Sequence, residues 1–280
     1  MDQGRNGDLM EIYSQKKEPF IRWIVLGVLV VLFLADMMLV LTDKAAIIDD
    51  PGINFMRKMR SPFLSLLAVG VTHLADTKIV IGICLVLLVL PQRMKLGLPL
   101  SIATGLASGV HYTLKLIIHR PRPEILSHLV EESGYSFPSG HSNAGVVFFL
   151  FLMVLLYRYL AINGRKGLSR IIVVLFPFLV IFIGISRVYV GVHYPTDVLG
   201  GWLLGGCLLI VFVTLYDSLY PSKWRITREQ PEWEMIRKQK PWKHPVNKEA
   251  ERIDFPRNRS PWKMPTARER QAKEERDAHE

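Results

Sequence analysis

Cysteine is scarce in this chain, which has two, Cys84 and Cys207, among its 280 residues. Both lie within apolar runs, and their separation fits neither a metal-binding nor a redox motif. A disulfide framework, a zinc module and thiol chemistry are therefore excluded as organising features. We expect both residues in the packed core, with a disulfide between them as the alternative. Histidine and carboxylate residues also lack metal-ligand spacing, so we expect neither a metal nor a cofactor.

The sequence also lacks the pattern of a cleavable signal peptide. The first apolar run follows a charged N-terminal segment, is long enough to cross a bilayer and shows no small-residue cleavage pattern. We therefore expect residues 1–20 to form a cytoplasmic leader and the run behind them to stay in the protein as an anchor.

Long apolar runs, by contrast, are abundant, and 50% of all residues are hydrophobic. A bilayer core of ~30 Å requires ~20 helical residues. Five runs reach this length, at 21–42, 97–118, 144–162, 171–190 and 198–219. The composition is typical of a membrane protein with a polar tail.

A sixth apolar stretch, residues 62–91, is interrupted near its middle by His73, Asp76 and Lys78. We interpret it as an interfacial or half-buried helix at 62–74 followed by a short span at 77–91. The sequence thus predicts an all-α polytopic membrane protein with six transmembrane helices, which occupy one domain at 21–220.

The distribution of Lys and Arg predicts the orientation of these spans, because such residues favour cytoplasmic loops. With six spans, four basic segments fall on one side: the leader, the segment around Arg93, the segment from Arg158 to Arg170, and the tail. The loop 43–60 is an exception, since it carries basic residues, among them Arg57, Lys58 and Arg60, on the other side, although three aspartates share it. We expect the protein in the cytoplasmic (inner) membrane, with both termini in the cytoplasm.

Small residues recur along two of the predicted spans. Helices in a membrane associate through close packing, which small side chains permit. The third span has Ser101, Gly105 and Gly109 in one row and Ala103 and Ala107 in a neighbouring row, and the sixth has Gly200, Gly201, Gly205 and Gly206. We expect both helices to lie against protein rather than lipid.

The last segment, 221–280, lacks apolar runs and carries charges of both signs, so it does not bury enough apolar surface to fold alone. A near-repeat, "PWKHPVNKEAER" and "PWKMPTARERQA", places Trp beside Lys between prolines. This pattern suits contact with anionic headgroups. An unidentified protein partner and a solvated tail without a specific role remain alternatives.

Three polar clusters adjoin the spans, in the stretches "KLIIHRPRP", "GYSFPSGHSNAG" and "SRVYVGVHYPTD". Taken singly, a snorkelling lysine, an interfacial arginine or an N-cap serine explains each of them. In the six-span topology, however, all three clusters reach the outward-facing side of the same membrane. Their candidate site residues are Lys115 and Arg122; Ser139, Gly140 and His141; and Arg187, His193 and Asp197.

The chemistry of these residues fits a phosphate group. Arginine offers a planar donor fork and lysine a mobile charge, so Lys115, Arg122 and Arg187 form a candidate cradle. Backbone N–H groups at the start of the fourth span, around Gly140, add the positive end of a helix dipole. Such an anion site requires no metal.

The two histidines suit different steps of a phosphoryl transfer. Asp197 lies four residues after His193, so its carboxylate can reach one ring nitrogen, fix the tautomer and leave the other lone pair free to attack phosphorus. His141, from another segment, is the candidate acid that protonates the departing oxygen.

This three-part pattern resembles the signature of the type 2 phosphatidic acid phosphatase superfamily. Its positions are matched in order over residues 97–219. The resemblance implies a six-helix membrane core and a metal-independent phosphohistidine mechanism. It makes His193 the nucleophile, Asp197 its orienting group and His141 the acid and later base, and it assigns phosphate binding to Lys115, Arg122, Ser139, Gly140 and Arg187. His119 and Arg120 are not signature residues, and we expect them to face headgroups.

The sequence therefore predicts a membrane lipid phosphate phosphatase, with undecaprenyl diphosphate as the first candidate substrate and phosphatidylglycerophosphate or phosphatidic acid as alternatives. The membrane spans argue against the soluble haloperoxidase relatives that hold vanadate. Two other classes stay open, a scaffold with a vestigial site and a lipid phosphate transporter, although neither needs a His193–Asp197 pair. We expect no nucleic-acid partner.

Overall fold

The computed structural model describes residues 3–124 and 128–219, with side chains from residue 20 onward except those of Ile162 and Lys166. Its helices are α1 (Gln3–Leu41), α2 (Ala46–Lys58), α3 (Pro62–His73), α4 (Thr77–Val89), α5 (Leu98–Ile118), α6 (Gly140–Ala144), α7 (Phe151–Ile162), α8 (Lys166–Tyr189) and α9 (Pro195–Leu219). A π-helical segment, Arg93–Gly97, leads into α5, and another, Gly145–Leu150, joins α6 to α7. The predicted all-α class is confirmed, since the described residues contain no strand. The predicted tail lies outside them.

Four helical stretches are long and apolar enough to cross a membrane: Phe20–Leu41, Gly140–Ala161, Gly167–Tyr189 and Pro195–Leu219. The α3–α4 pair passes the same test together, with a bend of 45° between its halves. Helix α5 has 21 residues but is less apolar, because Ser, Thr, His and Lys side chains interrupt it. The multi-pass architecture is therefore confirmed, and the count of six spans is approximate.

The interrupted stretch 62–91 folds as two helices, in agreement with the sequence analysis. Ser61 accepts a hydrogen bond from the backbone N–H of Leu64 at 3.3 Å, and Pro62 occupies the first turn of α3. Both features are typical helix starts, because they satisfy or remove N–H groups that lack a partner inside the helix. The break before α4 contains Asp76, which becomes important at the site.

A helix that the sequence analysis did not predict, α2, occupies most of the loop 43–60. It is less apolar on average than the other long helices, and Pro51 lies inside it. The carboxylate of Asp49 is buried, with a residue exposure of 1%. Tertiary contacts of this side chain, described below, hold α2 against the start of α9.

The glycines of α9 permit close packing on two sides, as predicted. A methyl group added at Gly201 would lie 2.8 Å from the Cβ of Ser142, and one at Gly205 would lie 2.7 Å from the Cβ of Val146. Gly206 faces Leu29 of α1 at 3.1 Å. Helix α9 therefore lies between α1 and the continuous helical stretch from α6 to α7.

The same prediction is wrong for one row of α5. Gly105 and Gly109 are exposed and have no neighbouring heavy atom within 4 Å of an added Cβ. The alanine row packs instead, since Ala103 and Ala107 are 2% and 1% exposed. Ala103 and Ala107 belong to the main apolar core together with Leu100, Phe148, Phe151, Leu155 and Ile183.

Large apolar side chains cover much of the outer surface, for example Val31, Ile117 and Phe178, which are 65%, 68% and 55% exposed. Such a surface suits contact with lipid chains. Cys84 and Cys207 are free thiols and half-buried, so they lie at the edge of the core rather than within it.

At the end of α9 distant from its Pro195 start, Asp217 accepts a hydrogen bond from Arg22 of α1 at 2.7 Å and another from Arg158 of α7. Helix α9 has 25 residues and is therefore ~37 Å long. The Arg22–Asp217–Arg158 cluster thus ties three helices together at the end remote from the candidate site.

Candidate active site

The predicted polar residues meet at one end of the helices. Helices α5 and α8 end there, and α6 and α9 begin there, so the segment 119–139 and the short turn after α8 lie side by side. The start of α6, the break between α3 and α4, and helix α2 complete the surroundings. Residues 125–127 lie outside the described part of the chain.

His193 and Asp197 form the predicted pair and are 1% and 0% exposed. Nδ1 of His193 lies 3.3 Å from Oδ2 of Asp197, and Nε2 lies 3.3 Å from Nη1 of Arg122. A guanidinium group only donates hydrogen bonds. Nε2 must therefore carry the lone pair and Nδ1 the proton, which is the tautomer that a nucleophile at Nε2 requires.

The surroundings keep this imidazole neutral. Burial, followed by the positive charges of Arg187, Arg122 and Lys115, holds the pKa of His193 well below the ordinary value of 6.5. Burial and nearby cations both disfavour an imidazolium. The Nε2 lone pair is therefore available at neutral pH.

Asp197 is held by several donors besides His193. The Ser136 hydroxyl donates a hydrogen bond to Oδ2, and the backbone N–H of Tyr194 donates to the same atom at 2.8 Å. Nη1 of Arg120 donates to Oδ1 at 2.6 Å. The position of the carboxylate is therefore fixed from several directions, which in turn fixes the imidazole ring.

Arg120 corrects the expectation that it faces headgroups. Its side chain is 13% exposed and joins Asp197 to Asp49 of α2, to which Nη2 donates at 2.5 Å. It also donates to the hydroxyl of Thr196 at 2.8 Å, and its guanidinium stacks 4.1 Å from the centre of the Tyr194 ring. The neighbouring His119 is exposed, as expected, and ends α5 with a positive φ of 54°.

Asp49 also binds Thr196 at the start of α9. The Asp49 carboxylate accepts from the backbone N–H of Thr196 at 3.0 Å and from its hydroxyl at 2.9 Å. Helix α2 is therefore connected through Arg120 to the carboxylate beside His193. Sequence spacing carries no sign of this link, because Asp49 and Asp197 are far apart in the chain.

Arg122 and Arg187, both predicted to bind phosphate, have fixed orientations. Arg122 donates to the carbonyl oxygens of Gly134, Ser133 and Val192 at 3.0, 2.9 and 2.9 Å. Arg187, which is 1% exposed, donates through Nη1 to the hydroxyl of Thr72 at 2.8 Å. Two guanidinium groups are thus held beside the His193 ring.

A carboxylate that the sequence analysis did not select, Glu132, lies between these arginines. Its oxygens are 2.6 Å from Nη2 of Arg187 and 3.7 Å from Nη2 of Arg122. Burial acts to raise the pKa of Glu132, but the charge and hydrogen bond of Arg187 outweigh burial and lower it. Glu132 is therefore an ionised group in the space predicted for phosphate.

The other predicted phosphate ligands occupy different positions. Lys115 is half-buried at the end of α5, where the charges of Arg122 and Glu132 act on it. The Ser139 hydroxyl accepts from the hydroxyl of Ser142 at 3.1 Å, and the Ser139 N–H donates to the carbonyl of Asp197 at 2.8 Å. The hydroxyl and the backbone N–H of Ser139 therefore both bond within the protein.

Gly140 begins α6 and lies against the ring of His111 on α5. A Cβ at this position would be 2.8 Å from Nε2 of His111, so a larger residue would displace the imidazole. The next residue, His141, is partly buried with a side-chain exposure of 16%, and its Nε2 lies 2.9 Å from Oδ1 of Asp76. The second predicted histidine thus has a carboxylate partner too.

Comparison with known proteins places the chain in a family. A sequence model of the PAP2 superfamily matches residues 95–220. Phosphatidylglycerophosphatase B of Bacillus subtilis (strain 168) is 31% identical over 163 residues, which cover 57% of this chain and 78% of that protein. This chain belongs to the PAP2 superfamily.

Two further comparisons support the assignment of this protein to the PAP2 superfamily. The crystal structure of a transmembrane PAP2-type phosphatidylglycerolphosphate phosphatase from Bacillus subtilis matches with a TM-score of 0.64 at 26% identity, covering 70% of this chain and 97% of that one. The undecaprenyl-diphosphatase of Sulfolobus acidocaldarius is 29% identical over 148 residues, 51% of this chain and 66% of that protein. The resemblance drawn from the sequence is confirmed.

The PAP2 match also separates two sets of polar residues. All eight predicted site residues fall within 95–220, as do Arg120, Glu132 and Ser136. Asp49 and Asp76 precede this segment and are contributed by α2 and by the α3–α4 break. Part of the polar surroundings of this PAP2 site therefore comes from chain outside the matched region.

Proposed function

We propose that this PAP2 protein, a membrane phosphatase of lipid phosphate esters, works without a metal and through a phosphohistidine on His193. The observation that carries the proposal is the tautomer of His193, with its proton towards Asp197 and its lone pair on Nε2. A scaffold or a transporter has no use for this arrangement.

In the first step, the Nε2 lone pair of His193 attacks phosphorus and forms a P–N bond. The P–O bond to the lipid breaks, and the leaving oxygen takes a proton from His141. Asp197 stabilises the positive charge that develops on the His193 ring. The products of this step are the free lipid alcohol, or the lipid monophosphate from a diphosphate, and phosphohistidine.

In the second step, the neutral His141 accepts a proton from a water molecule, whose oxygen attacks phosphorus. The P–N bond breaks, its electron pair returns to Nε2, and inorganic phosphate leaves. Both histidines then have their starting protonation states. No oxidant, reductant or metal enters the balance.

The phosphoryl oxygens are proposed to bind Arg122, Arg187 and Lys115, with the N–H groups at the start of α6 around Gly140. Glu132 lies between the two arginines, so an incoming phosphate displaces its carboxylate from Arg187. Ser139 contributes chiefly by its bond to the Asp197 backbone, which joins α6 to α9.

We also propose an orientation of the protein in the membrane. The basic segments before α5 and between α7 and α8 lie at the ends of these helices remote from the site. Cytoplasmic loops favour such residues, which supports an outward-facing site in the cytoplasmic membrane, with cytoplasmic termini. The division into leader 1–20, membrane domain 21–220 and tail 221–280 is proposed on the same basis, as is contact of the tail with anionic headgroups or a protein.

Two lipid substrates are candidates. Undecaprenyl diphosphate is the substrate named for the relative from Sulfolobus, and phosphatidylglycerophosphate is that named for the Bacillus relative with the larger coverage. Both present a phosphoryl group at headgroup depth, where the site lies at the helix ends. The mechanism above serves either one.

The test measures phosphate release by the purified full-length protein from undecaprenyl diphosphate, phosphatidylglycerophosphate and phosphatidic acid, with and without EDTA. We expect release from at least one lipid, at a rate that EDTA leaves unchanged, and an acid-labile phosphoryl label that disappears in His193→Ala. Absence of hydrolysis with tight binding would identify a transporter or scaffold instead. Loss with EDTA that a divalent ion restores would overturn the metal-free mechanism.

A further inference from the structure

A carboxylate lies in the break of the bent α3–α4 pair, where the apolar stretch 62–91 is interrupted. Asp76 precedes Thr77, the first residue of α4, and so occupies the N-cap position of that helix. An aspartate at this position normally accepts a hydrogen bond from its own helix. Here the side chain makes no such bond, and both oxygens point elsewhere.

The two oxygens of Asp76 contact two histidines. Oδ1 lies 2.9 Å from Nε2 of His141, and Oδ2 lies 2.6 Å from Nδ1 of His73, the last residue of α3. His73 is half-exposed and comes from the same break, so it fixes the carboxylate from the outer side. The bond to His141 joins the α3–α4 pair to the start of α6, 65 residues further along the chain.

We propose that Asp76 is the positioning residue for leaving-group protonation: its carboxylate holds Nε2 of His141 and leaves Nδ1 to deliver the proton to the departing oxygen. This inference rests on the proposed role of His141 as the acid. It extends the site to a residue outside the segment that the family match covers.

The chemistry of the pair favours this role. An imidazolium has two N–H groups, and a carboxylate that accepts one of them stabilises the charged ring and orients the other. The group that donates a proton in the first step must be charged before it does so, in a site that also contains cations. Around this pair, the charged and titratable groups are His73, His111 on α5, Glu132 before α6, Arg187 on α8, and His193 before α9.

These neighbours have opposing effects on a charged His141. Burial and, after it, the charge of Arg187 disfavour the imidazolium, whereas the hydrogen bond to Asp76 and the charge of Glu132 favour it. Because Glu132 is displaced when phosphate binds in the proposed mechanism, Asp76 is the carboxylate that stays in contact during the chemical step. The removal of its charge should therefore affect reactions that need an acid and spare those that do not.

The experiment compares two substrates in the full-length protein. p-Nitrophenyl phosphate releases a stable phenolate that needs no proton, whereas dioctanoyl phosphatidic acid releases an alkoxide that does. For Asp76→Asn we expect the single-turnover rate of leaving-group release from dioctanoyl phosphatidic acid, which reports the first step without the shared hydrolysis step, to fall by about 10²-fold, within the range of general acid catalysis. The single-turnover rate of p-nitrophenolate release should stay close to that of the wild type.

Three variants serve as references. Asp43→Asn makes the same chemical change at an exposed turn position outside the candidate site and should leave both rates unchanged. Asp76→Glu retains the charge and should recover part of the loss, which also provides an active variant should Asp76→Asn fail to fold. In a His141→Ala background, Asp76→Asn should add no further loss, because the two residues act as one unit.

An equal loss on both substrates, or no loss on either, would overturn the proposal. The same holds for a full additional loss in the His141→Ala background. Failure of the proposed function is distinguishable, since it would appear as persistent turnover of both substrates in His193→Ala.

Discussion

The site contains two histidine–carboxylate pairs that differ in almost every respect. His193 and Asp197 are four residues apart, and their side chains are 1% and 0% exposed. His141 and Asp76 are 65 residues apart and reach 16% and 36% exposure. The Asp197 carboxylate is held by Arg120, Ser136 and the Tyr194 backbone, whereas Asp76 is shared between two imidazole rings.

The difference matches the two tasks. A nucleophile must keep a lone pair in one direction and stay uncharged, and burial with many fixed partners provides both. An acid that becomes a base within one turnover must gain and lose a proton each cycle, so partial exposure suits it. The pairs are therefore similar in composition but built for opposite requirements.

The sharpest test of this contrast removes each histidine in turn. We expect His193→Ala to abolish turnover of every substrate, because no other group forms the P–N bond. We expect His141→Ala to reduce the single-turnover rate of leaving-group release by about 10²- to 10⁴-fold for alkyl phosphates and far less for p-nitrophenyl phosphate. Release of the lipid alcohol or of p-nitrophenolate in a single turnover, with detergent gel filtration to verify folding, makes the comparison.

Equal losses for the two variants on both substrates would show that the histidines do not divide the chemistry. Substantial turnover in His193→Ala would reassign the nucleophile.

A second test loosens the support of the buried pair without touching either member. Arg120→Gln removes the cation between Asp197 and Asp49, so the carboxylate loses a fixed partner and we expect kcat to fall by about 10²-fold, since small misplacement of a catalytic group has effects of this size. Arg120→Lys should lose nearly as much, because one ammonium does not span both carboxylates. Arg93→Gln, exposed and remote from the site, is the matched control.

A normal rate in Arg120→Gln would mean that Ser136 and Tyr194 suffice to hold Asp197. A fall in protein yield with unchanged kcat would assign Arg120 to folding alone.

A third test concerns Glu132, which lies between the two pairs on Arg187. Glu132→Gln removes a negative charge that competes with the ligand, so inhibition by orthovanadate should become about tenfold tighter, equivalent to ~1.4 kcal/mol. Glu124→Gln, an exposed carboxylate in the same segment, should leave the inhibition constant unchanged. Weaker inhibition in Glu132→Gln would show instead that this carboxylate helps to hold the cradle in shape.

The smallest expected effect is a shift in pH dependence. The pKa of His193 is lowered by burial and by Arg187, so the nucleophile stays neutral as the pH falls through 6.5, and its acid limb in kcat/KM lies below that value. In Arg187→Gln, one cation is lost, the pKa rises and the limb moves upward. The substrate titrates identically with both enzymes, so the difference between their profiles reports His193; coincident limbs would contradict this account.

Much of the architecture followed from local patterns in the chain. Apolar length located the spans, and the polar break at 74–76 predicted two helices where a single long one was the alternative. The i, i+4 spacing of His193 and Asp197 led directly to their contact. The glycines of α9 pack as predicted because they recur on faces that meet α1 and α6.

The rest depended on tertiary contacts that no spacing encodes. Gly105 and Gly109 have the same four-residue recurrence as a packed row, yet Ala103 and Ala107 occupy the buried face, because a repeat identifies a stripe without saying what meets it. Asp76, Glu132 and Arg120 gain their significance from partners in other segments. Helix α2 was missed because it is short and polar on average and contains Pro51, so it resembles a loop when apolar length is the criterion.

The Arg22–Asp217–Arg158 cluster has a consequence for how a lipid gains access. Helices α1, α7 and α9 are tied together at the end remote from the site, so these ion pairs restrict separation of the helices there and not at the site end. In the proposed function, a lipid chain can therefore enter between helices near the site without breaking the cluster. Removal of the cluster should weaken the bundle while leaving every reacting group in place.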